Sequence, residues 1–238
     1  MWTSTSSAST ARTRTTASRD SAVQPRAVLW DLDGTLADSR EHHWRAWREA
    51  LAADGIAVTE AQFAASFGQR NDAILGEWLG PGANPDRVRR IGEAKEACFR
   101  RLVAEEGLVP LRGAVAWIER LAQGGWRQAV ASSAPRANVE VVVRALGVAG
   151  RLGALVAAED VRVGKPAPEV FLVSAARLAV PPARAVVVED AAAGIEAARR
   201  AGMRSIGAGA AGLEAADVVV ASLADLPADA FERLVPPE

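Results

Sequence analysis

From Ala27 onward, short apolar runs alternate with longer stretches in which apolar residues recur every three or four positions. Ala27-Val28-Leu29-Trp30 is a run of buried-strand length that stops on Asp31. Five further runs read the same way: 128–131, 155–157, 185–188, 203–206 and 217–220. The intervening segments 113–123, 136–146, 168–179 and 191–201 carry the helical period, and Gly124, Gly147 and Gly202 stand at helix ends, where glycine terminates a helix readily. Strands alternating with helices of this length predict an α/β fold, a Rossmann-like doubly wound parallel sheet built from right-handed βαβ units. Ligands of such sheets bind beyond the carboxyl ends of the strands.

One stretch breaks the alternation. Residues 41–108 read as consecutive helices without a strand, over about 41–53, 59–66, 71–79 and 84–106, separated by Asp54-Gly55 and Gly80-Pro81-Gly82. That is too long for one crossover, so it is expected to be an α-helical cap inserted into a core formed by 26–40 and 109–238. Residues 1–25 have no acidic residue before Asp20 and almost nothing apolar, which predicts a disordered leader. Their Arg- and Ser-rich make-up also suits an organellar transit peptide or a start codon placed too far upstream. No uncharged apolar stretch reaches about 18 residues, so no membrane span and a cytoplasmic location are expected.

Composition narrows the chemistry. With 28 basic against 29 acidic residues there is no reason to expect nucleic acid as a partner. One cysteine, Cys98, excludes an intrachain disulfide and a thiolate zinc site, and is expected to be inert packing; the only histidines, His42 and His43, exclude a many-histidine metal site. Of the 28 basic residues only Lys95 and Lys165 are lysine, so each is a place to look for chemistry that arginine cannot do.

Four strand ends carry polar groups that a packed core would reject: Asp31-Leu32-Asp33-Gly34-Thr35, Ser132-Ser133, Gly164-Lys165-Pro166 and Glu189-Asp190. The sheet would bring them to one edge. Four carboxylates there repel one another unless a cation joins them, and all-oxygen ligands favour a hard ion such as Mg²⁺. A divalent ion beside a lysine and a hydroxyl is a place for a phosphoryl group. Asp31 is then the natural nucleophile and Asp33 is placed to exchange a proton with the leaving group, while Gly34 would let the backbone approach the phosphate closely. Taken singly, each residue has a plainer reading: a turn at Asp31 and Asp33, a helix cap at Ser132, Ser133 or Asn138, an acidic helix start at Glu189-Asp190.

Taken together, Asp-Leu-Asp-Gly-Thr-Leu-Ala-Asp-Ser, the strand ending Ala131-Ser132-Ser133, Gly164-Lys165-Pro166-Ala167-Pro168-Glu169, and Val188-Glu189-Asp190 followed by Ala191-Ala192-Ala193-Gly194 resemble the four ordered motifs of the haloacid dehalogenase superfamily. The likeness covers about 27–225. It implies catalytic roles for Asp31, Asp33, Ser132 and Lys165, and a magnesium site made by Asp31, Glu189 and Asp190 with the backbone carbonyl of Asp33. The acid at position 33 points to phosphoryl transfer, since the dehalogenases of the superfamily have none there. Phosphonate-cleaving relatives use a cap lysine, for which Lys95 is the only candidate and lies in the wrong part of the cap.

Glu41-His42-His43-Trp44-Arg45-Ala46-Trp47 is similar to the first cap helix of the β-phosphoglucomutase-like subgroup, which implies His43 near the hinge and Trp47 facing substrate, although the two could simply share a packed helix face. Arg70, in Gly68-Gln69-Arg70-Asn71, falls where that subgroup has an arginine for the distal part of the substrate, and an ordinary surface charge is the alternative. Ser133 and Arg136 are further candidates for substrate binding. Mutases of this group carry a basic residue soon after the serine of the second motif, and Arg136 is out of that register. The expected activity is therefore Mg²⁺-dependent hydrolysis of a small sugar-phosphate-like monoester through an aspartyl phosphate, by a monomer or weak dimer. A phosphosugar mutase is the alternative, and a receiver-like phospho-acceptor domain a more distant one.

Overall fold

The computed structural model describes Met1, residues 24–209 and residues 212–237. The leader expected over 1–25 therefore lies almost wholly outside the described residues. Among the described residues six strands, β1 (Ala27–Trp30), β2 (Arg127–Ala131), β3 (Ala154–Val156), β4 (Ala185–Glu189), β5 (Arg204–Ala208) and β6 (Val218–Val220), form one sheet in the order β3-β2-β1-β4-β5-β6. Every pairing is parallel. Near-continuous valine and alanine at β1, β2 and β4 reflects burial on both faces, as parallel sheets require.

Alternate residues along each strand enter different cores. Val28, Trp30, Val130, Val186 and Val188 pack with α5 (Ala114–Gln123) and α6 (Arg136–Ala145), whereas Leu29, Ala129, Ala131 and Val187 pack with α7 (Glu169–Arg177) and α8 (Ala192–Arg200). Trp30 and Trp117 are core residues as expected, and each indole N–H is satisfied, by Gln128 Oε1 at 2.9 Å and by the Leu223 carbonyl at 2.8 Å. A short final helix, α9 (Ala230–Leu234), places Phe231 against Trp30 and Trp117, a contribution the sequence pattern did not announce.

Four helices fill the insertion between β1 and α5: α1 (Arg40–Ala52), α2 (Glu60–Ser66), α3 (Asn71–Leu79) and α4 (Pro85–Glu106). Thr59 and Gln62 cap α2 reciprocally, and Asn84 caps α4 ahead of Pro85, so these boundaries are written locally. Trp47, Leu51, Phe63, Ile74, Leu75 and Ile91 give the insertion an apolar centre of its own, while Cys98, Phe99, Leu102 and Val103 on the second half of α4 join the core cluster beneath. The two linkers to this cap run side by side: Asp38 N–H donates to the Val109 carbonyl at 3.0 Å and Leu111 N–H to the Leu36 carbonyl at 2.9 Å.

Candidate active site

The strand order reverses between β1 and β4, and their register, Trp30 beside Val188, sets Asp31 abreast of Glu189. β2 lies on the other side of β1, with Trp30 beside Val130, which brings Ser132 to the same edge. Three carboxylates, those of Asp31, Glu189 and Asp190, offer oxygens within 4.8 Å of one another. Lys165 reaches over them, donating to Asp31 Oδ1 at 2.6 Å and to Glu189 Oε1. Glu189 also accepts the backbone N–H groups of Asp190 and Ala191, each at 3.1 Å, which fixes its carboxylate.

Electrostatics follow from this crowding. Burial, then the negative charge of Glu189, push Asp31 well above the usual carboxylate range, against the pull of Lys165, and the same two causes push Asp190 up to about 7. Burial alone would depress Lys165, but Asp31 and Glu189 outweigh it and hold the ammonium above its ordinary value. One lysine is thus insufficient for three acids. An all-oxygen set left short of positive charge fits a hard divalent cation, and these are the residues that could hold one.

Two glycines make the cluster possible. A Cβ on Gly194 would stand 2.0 Å from Glu189 Oε1, and one on Gly34, whose φ is +92°, would stand 2.1 Å from Asp190 Oδ2. Gly34 was expected to let the backbone approach a phosphate; its missing Cβ also makes room for the side chain of Asp190.

The carboxylate of Asp33 has partners of its own. It accepts from Ser39 Oγ at 2.6 Å, and His43 Nε2 lies 3.1 Å from the same oxygen. Burial would raise Asp33, but His43 and Ser39 together hold it below its ordinary value. On the far side of the imidazole, Lys95 Nζ stands 2.9 Å from Nδ1. An ammonium only donates, so Nδ1 accepts and the proton of the neutral ring sits on Nε2, directed at Asp33. Burial and the neighbouring ammonium of Lys95 lower the His43 pKa despite Asp33. Lys95 also donates to Glu96 Oε1 at 2.8 Å. The sequence left Lys95 without a role; the structure makes it a lining residue of the site.

The cleft above these groups has a volume of about 270 Å³, at the small end of ligand pockets. Asp31, Asp33, Ser132, Ser133, Lys165, Glu189 and Asp190 line its floor, and His43, Trp47, Phe63, Phe67, Lys95 and Glu96 line its cap side. Ser132 is buried, its Oγ accepting from Ala134 N–H at 3.0 Å. Arg70 is at the mouth, beside Arg162, in an adjoining hollow. Its stem packs on Gly164 and Nη1 donates to the Ala158 carbonyl at 2.9 Å, so it already joins cap to core. Arg136 does not line the cleft: its guanidinium is paired with Asp160, and its backbone N–H donates to Glu159. Nor does Asn138 cap α6, since its amide is given to Glu96 and Arg100.

The family model described as haloacid dehalogenase-like hydrolase matches residues 25–202. Protein CbbY of Rhodobacter capsulatus is 32% identical over 193 residues, which are 77% of this chain and 85% of the relative. The fructose-1-phosphate phosphatase YqaB of Escherichia coli strain K12 is 34% identical over 184 residues, 75% of this chain and 94% of the relative. Among solved structures, a β-phosphoglucomutase from Clostridium difficile superposes with a TM-score of 0.81 at 26% identity, covering 89% of this chain and 97% of that one.

Proposed function

The chain belongs to the haloacid dehalogenase-like hydrolases and is a phosphatase-type enzyme, and from that premise we propose that it hydrolyses a small, sugar-phosphate-like monoester through a phosphoaspartate on Asp31. The observation that carries this reading is Asp33, an acid held by Ser39 and His43 two residues after Asp31 and lining a small cleft. A receiver-like domain is not compatible with a six-stranded sheet ordered β3-β2-β1-β4-β5-β6, since that fold runs 2-1-3-4-5.

Asp31 attacks phosphorus with a carboxylate oxygen, and the bond from phosphorus to the leaving oxygen breaks. With the negative phosphate beside it offsetting the pull of Ser39 and His43, Asp33 carries the proton that it gives to that oxygen, and it then takes one from the water that attacks the phosphoaspartate. Lys165 neutralises Asp31 and the incoming phosphoryl group together, and Ser132 donates to a phosphoryl oxygen. Asp31, Glu189 and Asp190, with the Asp33 carbonyl, are the residues that would hold Mg²⁺, which when bound supplies the positive charge that three crowded carboxylates and a phosphate require. His43 orients Asp33, and Lys95 keeps His43 in the tautomer that donates to it. Residues 41–108 act as the cap, with Trp47 and Arg70 on the leaving-group side.

Hydrolysis is favoured over phosphosugar mutation because Arg136, the nearest basic candidate after Ser132, is spent on Asp160 outside the cleft. Phosphate release from sugar phosphates, phosphoglycolate and nucleotides with and without Mg²⁺ tests the reading. Conversion of β-glucose 1-phosphate to glucose 6-phosphate, primed by a bisphosphate and faster than phosphate release, would replace it with the mutase.

A further inference from the structure

Glu96 on cap helix α4 is buried, and its carboxylate gathers donors from three elements: Asn71 Nδ2 of α3 at 2.6 Å, Lys95 Nζ at 2.8 Å, and Asn138 Nδ2 of core helix α6. The other side of the Asn138 amide is also engaged by the cap, its Oδ1 accepting from Arg100 Nη1 at 2.9 Å. Asn138 is 1% exposed. It lies in the first turn of α6, just after the loop that carries Ser132 and Ser133.

We propose that Glu96 and Asn138 form a latch between cap and core, and that they are positioning residues: docking of Glu96 on Asn138 sets Lys95 against His43, and hence His43 against Asp33. The physical case is one of satisfaction. A buried carboxylate is tolerated only while its donors remain, so lifting the cap away from Asn138 costs Glu96 a charge-assisted hydrogen bond at the seam. The two oxygens divide the work. Oε1 holds Lys95 and Asn71 within the cap, and Oε2 holds Asn138 of the core, so the carboxylate is oriented by the core and orients the lysine. The chain Asn138, Glu96, Lys95, His43, Asp33 thereby runs from α6 through the cap and back to the strand end. This rests on the reading of Asp33 as proton donor given above.

The test is a charge inversion across the seam. Asn138→Asp faces Glu96 with a second carboxylate and should lower kcat about tenfold, the rate equivalent of an ordinary contact coupling. The double variant Asn138→Asp/Glu96→Gln restores an amide opposite a carboxylate and should recover most of that loss. Amide hydrogen exchange in residues 66–72 and in the first turn of α6 should quicken in Asn138→Asp and slow again in the double variant. Inhibition by inorganic phosphate should change little in either, which a merely structural role would not give. Asn138→Ala, which removes the donor without adding charge, must show the same pattern at smaller size, and it serves if Asn138→Asp does not fold. Wild-type turnover and exchange in the single variants, or a double variant no better than Asn138→Asp, would overturn the latch. If the wild type releases phosphate from no monoester, the proposed function fails, while the exchange comparison still decides the latch.

Discussion

His43 Nε2 stands 3.1 Å from Asp33 Oδ1 while its ring lies stacked on Phe99, with centroids 4.0 Å apart. The imidazole is held in plane by an aromatic neighbour and in tautomer by Lys95, so it has one orientation in which to serve Asp33. His43→Ala should lower kcat by about 10- to 100-fold, at or below the worth of one general acid–base group, with a smaller effect on KM. Steady-state kinetics on a sugar phosphate check this; an unchanged kcat would detach His43 from the proton transfer.

Lys95 and Glu96 have side chains only 4% and 7% exposed, so neither can be relieved by water. Lys95→Met should destabilise the fold by about 3–5 kcal/mol, the usual cost of stranding one member of a buried pair. Glu96→Gln added to Lys95→Met should return part of that loss, because the uncompensated charge is gone. Urea denaturation of the single and double variants measures both.

Asp31→Asn should abolish turnover, since an amide cannot form the phosphoenzyme. The same substitution should raise the stability of the metal-free protein near neutral pH, because Asp31 is buried among Glu189 and Asp190 and held well above its ordinary pKa. Thermal melts in a chelating buffer decide it: a lower Tm than wild type would mean that the bond to Lys165 outweighs the crowding.

Asp190 gives a pH signature. With a folded pKa of about 7 against an ordinary 3.8, the folded chain keeps a proton that the unfolded chain has lost, so this group's contribution declines as pH rises from about 4 through 7. His43 acts in the opposite sense below its ordinary 6.5, so the total curve mixes the two. Comparison with Asp190→Asn isolates the acid: the variant should gain on the metal-free wild type between about pH 4 and 7 and level off above that on this linkage. A constant gap across that range would contradict the assignment.

Gly194→Ala and Gly76→Ala make a matched pair of helix substitutions. Around Gly76 nothing lies within 4 Å of an added Cβ, so alanine there should stabilise by about 0.5–1 kcal/mol. At Gly194 the added carbon would displace Glu189, and activity should fall at least tenfold by analogy with other losses of a charged site group. Melting temperature and kcat of the two variants, measured side by side, separate helix propensity from the space that the acid needs.

The sheet and the acid edge were legible because apolar runs that end abruptly on Asp31, Ser132 and Glu189 leave little else for those side chains to do. Lys165 stood out through its rarity. Lys95 carried the same mark, together with a second: it interrupts the apolar stripe of α4 between Ile91 and Phe99, a place where a charge needs a partner. That partner could not be named, because whether His43 or solvent meets Lys95 depends on how α1 packs on α4. Arg136 failed for a related reason, since Asp160 comes to it from beyond β3 and no local pattern joins them. Helix α9, at 5 residues, is shorter than a helical period can register. The closeness of Asp190 to Gly34 was not legible, because a left-handed turn and a close tertiary neighbour leave the same trace, a glycine.

The paired linkers at Leu36–Asp38 and Val109–Leu111 have a consequence for how this molecule can diversify. Because they leave the sheet hydrogen-bonded to each other, the core sees the whole helical insertion as one loop whose ends are already joined. Loop closure costs rise only slowly with length once the ends are fixed, so the part of the insertion with its own apolar centre can change in length at little closure cost, while the second half of α4 stays bound to the core beneath. The acid edge stays with the sheet, whereas His43 and Lys95 belong to the insertion, so any change of that wall must keep the contact of α1 and α4 with Asp33.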